Sequence, residues 1–144
     1  MMQPMLPRPS LPPSISCVIP AFNEARNLAS LLPEFLTTLK QLSPQVELIV
    51  VDDGSRDDTT AVMQALCQSH PELVYIKLSR NFGKELALTA GIEATKGDVV
   101  VLMDGDGQHP VSLVPNMLAQ WREGVDVVYA VRKTRHDQSS LQIK

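Results

Sequence analysis

Five short apolar runs punctuate the chain, at residues 14–20, 46–52, 73–79, 98–104 and 126–132. Their apolar residues are contiguous, most clearly in Leu48-Ile49-Val50-Val51 and Val99-Val100-Val101-Leu102. A strand with one wet face alternates, whereas a strand covered on both faces does not, so these runs predict buried strands. The segments between them carry helical spacing. Leu28, Leu31, Leu32, Phe35, Leu36, Leu39 and Leu42 fall on one stripe, the signature of an amphipathic helix. Pro33 lies inside that stripe and removes a backbone donor, which predicts a kink or a break.

Ser55, with Asp58 three residues later, forms a capping-box pattern ahead of Ala61, Val62 and Leu66, and predicts the start of a second helix. A third is expected over 84–95. Its Ala87, Ala90, Gly91 and Ala94 are small enough to let it lie close to a sheet, and Lys96-Gly97 is expected to stop it. A fourth should open at Pro110 and end near Gly124. Alternation of strand and helix predicts an α/β fold: a Rossmann-like, mostly parallel sheet with helices on both faces. Five of the eleven prolines fall in residues 1–13, so that stretch is expected to be a disordered leader. One domain should then span 14–133, with a short tail over 134–144.

Composition changes this picture little. Hydrophobic residues are 44% and charged residues 20%, values that suit one globular domain with a real core. The net charge of −3 and the 4% of aromatic residues argue against nucleic acid, which calls for a basic surface and stacking platforms. Cys17 and Cys67 are too few for a disulfide framework and are expected to be small buried apolar groups, in keeping with a cytoplasmic setting. No run reaches the roughly 18 apolar residues that span a bilayer.

The candidate chemistry gathers at the strand ends, where open α/β sheets bind ligands. The first strand runs into Pro20-Ala21-Phe22-Asn23-Glu24, the second into Asp52-Asp53-Gly54-Ser55, and the third into Arg80-Asn81-Phe82-Gly83-Lys84. The fourth ends in Asp104-Gly105-Asp106-Gly107-Gln108. Two like charges about 4 Å apart repel by roughly 4 kcal/mol at an effective dielectric near 20. A cluster of Asp52, Asp53, Asp104 and Asp106 therefore needs a cation, a protonation change or separate ligand contacts. Asp104 and Asp106 bracket one glycine, so both carboxylates can face one point, and hard oxygen donors suit Mg²⁺ or Mn²⁺. Plainer readings exist for each motif alone. Asp53-Gly54-Ser55 can be a turn and a helix cap, Asn23 a cap on the first helix, and Asp104-Gly105-Asp106 a solvated loop. Their convergence on one edge favours a site.

These motifs, in this order, resemble glycosyltransferase family 2. The likeness rests on Ile19-Pro20-Ala21-Phe22-Asn23-Glu24, Val50-Val51-Asp52-Asp53-Gly54-Ser55 and Asp104-Gly105-Asp106. The stretches Leu78-Ser79-Arg80-Asn81-Phe82-Gly83-Lys84 and Met103 to Pro110 are similar to the polyprenyl-phosphate hexosyltransferase branch, which includes dolichol-phosphate mannose synthase. The resemblance implies a GT-A fold and transfer of a hexose from a UDP- or GDP-sugar, with inversion, to a polyprenyl phosphate. It implies that Pro20, Asn23, Glu24, Asp52, Asp53 and Ser55 form the nucleotide pocket, with Lys84 near phosphate. Asp104, Asp106 and Gln108 would hold Mg²⁺ or Mn²⁺, and Arg132 would lie near the phosphates of donor or acceptor, so that Asp104, Asp106 and Arg132 carry the catalytic roles. The family's catalytic domain extends past the equivalent of Lys144, and intact relatives work at the cytoplasmic face of the membrane.

Other classes fit less well. The first strand is not followed by Gly-x-Gly-x-x-Gly, which disfavours a dinucleotide oxidoreductase, and no P-loop is present. A phosphoacceptor receiver would place its acidic pair after strand one. A sugar nucleotidyltransferase would place a glycine-rich loop there. The remaining rival is a fragment that binds nucleotide-sugar without turnover.

Overall fold

A computed structural model describes residues 12–103, 113–124, 128–132 and 139–143. The elements run β1 (Ile15–Ala21), α1 (Ala25–Leu42), β2 (Val46–Asp52), α2 (Thr59–Ser69), β3 (Leu73–Lys77), α3 (Lys84–Glu93) and β4 (Val99–Leu102). After these come α4 (Val114–Arg122), β5 (Val128–Arg132) and β6 (Ser139–Ile143). The chain forms two compact units, the first holding β1 to β4 and the second α4, β5 and β6.

In the first unit the four contiguous apolar runs make one parallel sheet of order β3-β2-β1-β4. Val18, Ile49 and Val51 are fully buried on one face, packed with Ala87 of α3. Successive side chains point to opposite faces, so Cys17, Ile19, Leu48 and Val50 serve the other face and are buried as deeply. That second face is covered by α1 and α2, with Leu28, Leu32, Phe35, Leu36 and Leu39 forming the buried stripe of α1. Two covered faces explain the unbroken apolar pattern of β1 and β2, whereas in the outer strands, expected to be buried as well, Val100 and Leu102 of β4 and Val74 of β3 are exposed.

α3 lies close to the sheet for the reason its small residues suggested. A Cβ on Gly91 would collide with Val18 Cγ1 and stand 3.0 Å from Val51 Cγ2. Pro20 is tolerated in a central strand because β4 pairs with β1 only as far as Val18. The missing N–H of Pro20 therefore faces no ladder partner on that side.

Several expectations need correction. Pro33 does not break α1, which is continuous from Ala25 to Leu42, because burial of its apolar stripe outweighs the lost backbone hydrogen bond. The capping box does not form. α2 starts at Thr59 with no side-chain bond from its cap residue Asp58, and the Thr59 N–H and hydroxyl are taken by Asp57. Gly97 is not a left-handed helix terminator. Its N–H donates to Ser16 Oγ at 2.8 Å, and a Cβ there would meet Ser16, so glycine serves the close crossing over β1. Cys17 is buried but Cys67 only half-buried.

In the second unit, α4 is described from Val114 to Arg122, and Pro110, where its start was expected, lies outside the described residues. It ends where expected: Gly124, at φ 104°, donates its N–H to Trp121 O. The fifth apolar run pairs antiparallel with β6, Val128 opposite Ile143 and Arg132 opposite Ser139. It is thus not a further parallel strand of the first sheet, and residues 139–143, taken as tail, form its partner. Among the described residues no helix is long and apolar enough to cross a membrane.

Candidate functional site

At the carboxyl edge of the first sheet, β2 delivers Asp52 and Asp53 into one sharp turn. Both are buried, at 0% and 4% exposure. A buried carboxylate needs donors, and each oxygen here has one. Asp52 Oδ1 accepts from the Ser55 N–H at 2.7 Å and Oδ2 from the Tyr75 hydroxyl. Asp53 Oδ1 accepts from the Phe82 N–H at 2.7 Å and Oδ2 from the Gly83 N–H at 3.0 Å. Gly54 sits between these carboxylates and Ser55 with φ of 80°, and a Cβ there would stand 2.5 Å from the Arg80 carbonyl carbon. Glycine is required on both counts. The Asp-Asp-Gly-Ser turn is therefore a clasp that draws the 80–83 loop onto the end of β2.

The turn after β1 is tied to the same clasp. Asn23 adopts φ of 54°, a conformation asparagine tolerates better than most residues. Its N–H donates to Ser55 Oγ at 2.9 Å, and its Oδ1 accepts from the Arg56 N–H at 2.8 Å. Asn23 does not cap α1. Glu24 holds that place without a side-chain bond to the helix backbone, and its carboxylate accepts from Asn27. Pro20 is half-buried beside Val51. Lys84 is exposed at the start of α3.

Between these turns opens a concavity of about 450 Å³, lined by Phe22, Asn23, Ser55, Arg56, Lys77 and Arg80 among others. The Arg80 guanidinium lies 4.4 Å over the Phe82 ring. A larger hollow of about 520 Å³ lies at the opposite edge, among Ser14, Lys40, Glu47, Glu72 and Lys96. The first is the better candidate, because backbone and side-chain donors of three strand-end turns converge on it.

Sequence reasoning missed three contributors. Tyr75 and Thr60 complete the surroundings of Asp52, their oxygens 3.0 Å apart. Burial, and then donation to Asp52, pushes the Tyr75 hydroxyl up to about 12. Asp57 joins two helix starts, accepting from the Ala25 N–H of α1 at 3.3 Å and from the Thr59 N–H of α2 at 3.0 Å. The Thr59 hydroxyl, first among several donors, holds its carboxyl below the ordinary value of 3.8. A buried aspartate at a strand end signals a missing donor, but only the register that sets Tyr75 opposite Val50 names it.

Asp104, Asp106 and Gln108 lie outside the described residues. β4 carries the chain towards them. The Met103 N–H bonds the Val18 carbonyl at 3.0 Å, so the strand leaves the sheet beside β1, where the order reverses between β1 and β4. Arg132 closes β5 in the second unit. Among the described residues no cluster of three His, Cys, Asp or Glu side chains is placed to hold a metal.

The family model for glycosyl transferase family 2 matches residues 16–142. The chain belongs to glycosyltransferase family 2. Two relatives fall in the branch that the motifs resembled. A bactoprenol glucosyl transferase of Shigella phage SfX is 39% identical over 134 residues, covering 90% of this chain and 43% of the relative. An undecaprenyl-phosphate 4-deoxy-4-formamido-L-arabinose transferase of Pseudomonas savastanoi is 40% identical over 124 residues, covering 85% and 37%. The chain thus spans about two fifths of the length of these relatives. In fold it is similar to a mannosyltransferase of Pyrobaculum calidifontis solved with GDP-Man and Mn²⁺, with a TM-score of 0.72 at 23% identity over 94% of this chain and 40% of that one. The expected GT-A type of α/β fold is borne out.

Proposed function

We propose that the protein takes part in transferring a hexose from a nucleotide-sugar to a polyprenyl phosphate, with metal-dependent inversion at the sugar carbon. The observation that carries this reading is the 450 Å³ concavity among Asn23, Ser55, Arg56 and Lys77 at the carboxyl edge of a parallel sheet, in a member of this family. Its volume lies within the roughly 300–1,000 Å³ of small-ligand sites. The acceptor class is supported by the two relatives, whose names specify bactoprenol and undecaprenyl phosphate. A lipid acceptor would place the work at a membrane face, the cytoplasmic one in this reading.

In this account the base and ribose of a UDP- or GDP-sugar occupy the concavity lined by Asn23 and Ser55, with Pro20 and Glu24 to either side of Asn23 along the chain. Asp52 and Asp53 hold its walls. Lys84 and Arg132 serve the phosphates. Asp104, Asp106 and Gln108 offer hard oxygen donors suited to Mg²⁺ or Mn²⁺, and an ion held there would neutralise charge developing on the departing nucleoside diphosphate. The acceptor phosphate is already anionic at neutral pH, so its oxygen can displace the nucleoside diphosphate directly, without a general base, and the sugar carbon inverts.

The reading is tested by incubating the protein with radiolabelled UDP-glucose or GDP-mannose, Mn²⁺ and polyprenyl phosphate. Label should pass into the organic phase, and Asp104→Ala should lower the yield at least tenfold. No transfer by the unaltered protein, or undiminished transfer by Asp104→Ala, contradicts it.

A further inference from the structure

A continuous run of hydrogen bonds passes along and behind the concavity, and Tyr75 is one of its links. At one end Lys77 Nζ, which lines the concavity, donates to Thr60 Oγ1 at 2.7 Å. Thr60 Oγ1 lies 3.0 Å from the Tyr75 hydroxyl, which donates to Asp52 Oδ2. From Asp52 Oδ1 the run continues through the Ser55 N–H, then from Ser55 Oγ to the Asn23 N–H, and from Asn23 Oδ1 to the Arg56 N–H. Lys77, Ser55, Asn23 and Arg56 all line the concavity. Tyr75, Thr60 and Asp52 stand behind it.

The direction of the run is fixed by its ends. An ammonium only donates and a carboxylate only accepts. Lys77 therefore gives a proton bond to Thr60, Thr60 to Tyr75, and Tyr75 to Asp52, with no freedom to reverse. Three elements contribute: Thr60 from the first turn of α2, Tyr75 and Lys77 from one face of β3, and Asp52 from the end of β2. A hydroxyl pair that satisfies a fully buried carboxylate on one side, and holds a pocket-lining ammonium on the other, couples the two walls of the concavity.

Building on the nucleotide-sugar reading, we propose that Tyr75 and Thr60 are positioning residues for binding a nucleoside diphosphate. They act through Asp52, which sets the Ser55 backbone, and through Lys77. Without the Tyr75 hydroxyl, Asp52 Oδ2 keeps no donor and is free to turn, and the Ser55–Asn23 wall loses its anchor. Without the Thr60 hydroxyl, Lys77 and Tyr75 lose their shared partner.

The experiment measures UDP and GDP affinity by calorimetric titration in Mn²⁺, beside urea unfolding, for the unaltered protein, Tyr75→Phe, Thr60→Val and Thr60→Ser. Tyr75→Phe keeps the ring, Thr60→Val keeps the shape without the hydroxyl, and Thr60→Ser keeps the hydroxyl without the methyl. Loss of a hydrogen bond to a charged group predicts nucleotide affinity about tenfold weaker in Tyr75→Phe and several-fold weaker in Thr60→Val. Thr60→Ser should restore binding to within about twofold of the unaltered protein on the same grounds. A purely structural role would shift the urea midpoint and leave the affinity of the folded protein alone. That result, or equal affinities for Thr60→Val and Thr60→Ser, overturns the inference. If Tyr75→Phe fails to fold, the two Thr60 variants decide. Failure of the unaltered protein to bind either nucleotide is a separate outcome, which removes the functional reading and this inference with it.

Discussion

Asp53 spends both carboxylate oxygens on backbone N–H groups of the 80–83 loop, so the acidic pair after β2 is as much architecture as chemistry. Asp53→Asn would turn an amide donor towards one of those N–H groups. Losing a charge-assisted bond and stranding a buried donor should cost roughly 1.5–3 kcal/mol, read as a lower urea midpoint with an unchanged m-value. Asp57 makes a pH-dependent contribution of opposite placement, on the surface at two helix starts. Its folded pKa is depressed below 3.8, so its stabilisation is complete above that value and is lost as pH falls through the folded pKa. Asp57→Asn should therefore unfold more easily than the unaltered protein at pH 6, and the gap should close as pH drops below 3.8. A gap constant with pH would contradict the assignment. Single residues of this kind were only half legible. The Asp-Asp-Gly-Ser string announces a turn, but which N–H groups Asp53 takes depends on a loop some thirty positions away.

At the scale of elements, the contact between α3 and the sheet is governed by Gly91, over which Val18 and Val51 close. Gly91→Ala would gain helix propensity of about 1 kcal/mol and lose more to overpacking. A net loss of roughly 1–2 kcal/mol on thermal or urea unfolding is expected from that balance. The apolar pattern made β1, β2 and the buried stripe of α1 readable, because those elements owe their form to burial, and it marked β3 and β4 as strands although Val74, Val100 and Leu102 are exposed. It failed where tertiary contacts set the terms. Pro33 does not interrupt α1, since the stripe on both sides of it is buried. Asp57 rather than Ser55 serves the start of α2, since Ser55 is already engaged by Asn23. Gly97 answers to Ser16 across the sheet. The fifth apolar run was legible as a strand but not in its pairing, because an apolar run does not state whether its neighbour will be parallel.

On the scale of the whole molecule, the order β3-β2-β1-β4 puts the turns after β1, β2 and β3 around one concavity, with β4 beside β1. Motif order along the sequence carried the family, which the match over residues 16–142 bears out. Topology explains why the motifs belong together. The central claim is that this edge binds a nucleoside diphosphate with the help of a divalent ion. Calorimetric titration of the protein with UDP and GDP, in Mn²⁺ and again in EDTA, addresses it most directly. The account predicts saturable binding of at least one nucleotide in Mn²⁺, weakened at least tenfold by EDTA. Binding of neither nucleotide, or equal affinity with and without the metal, would contradict it.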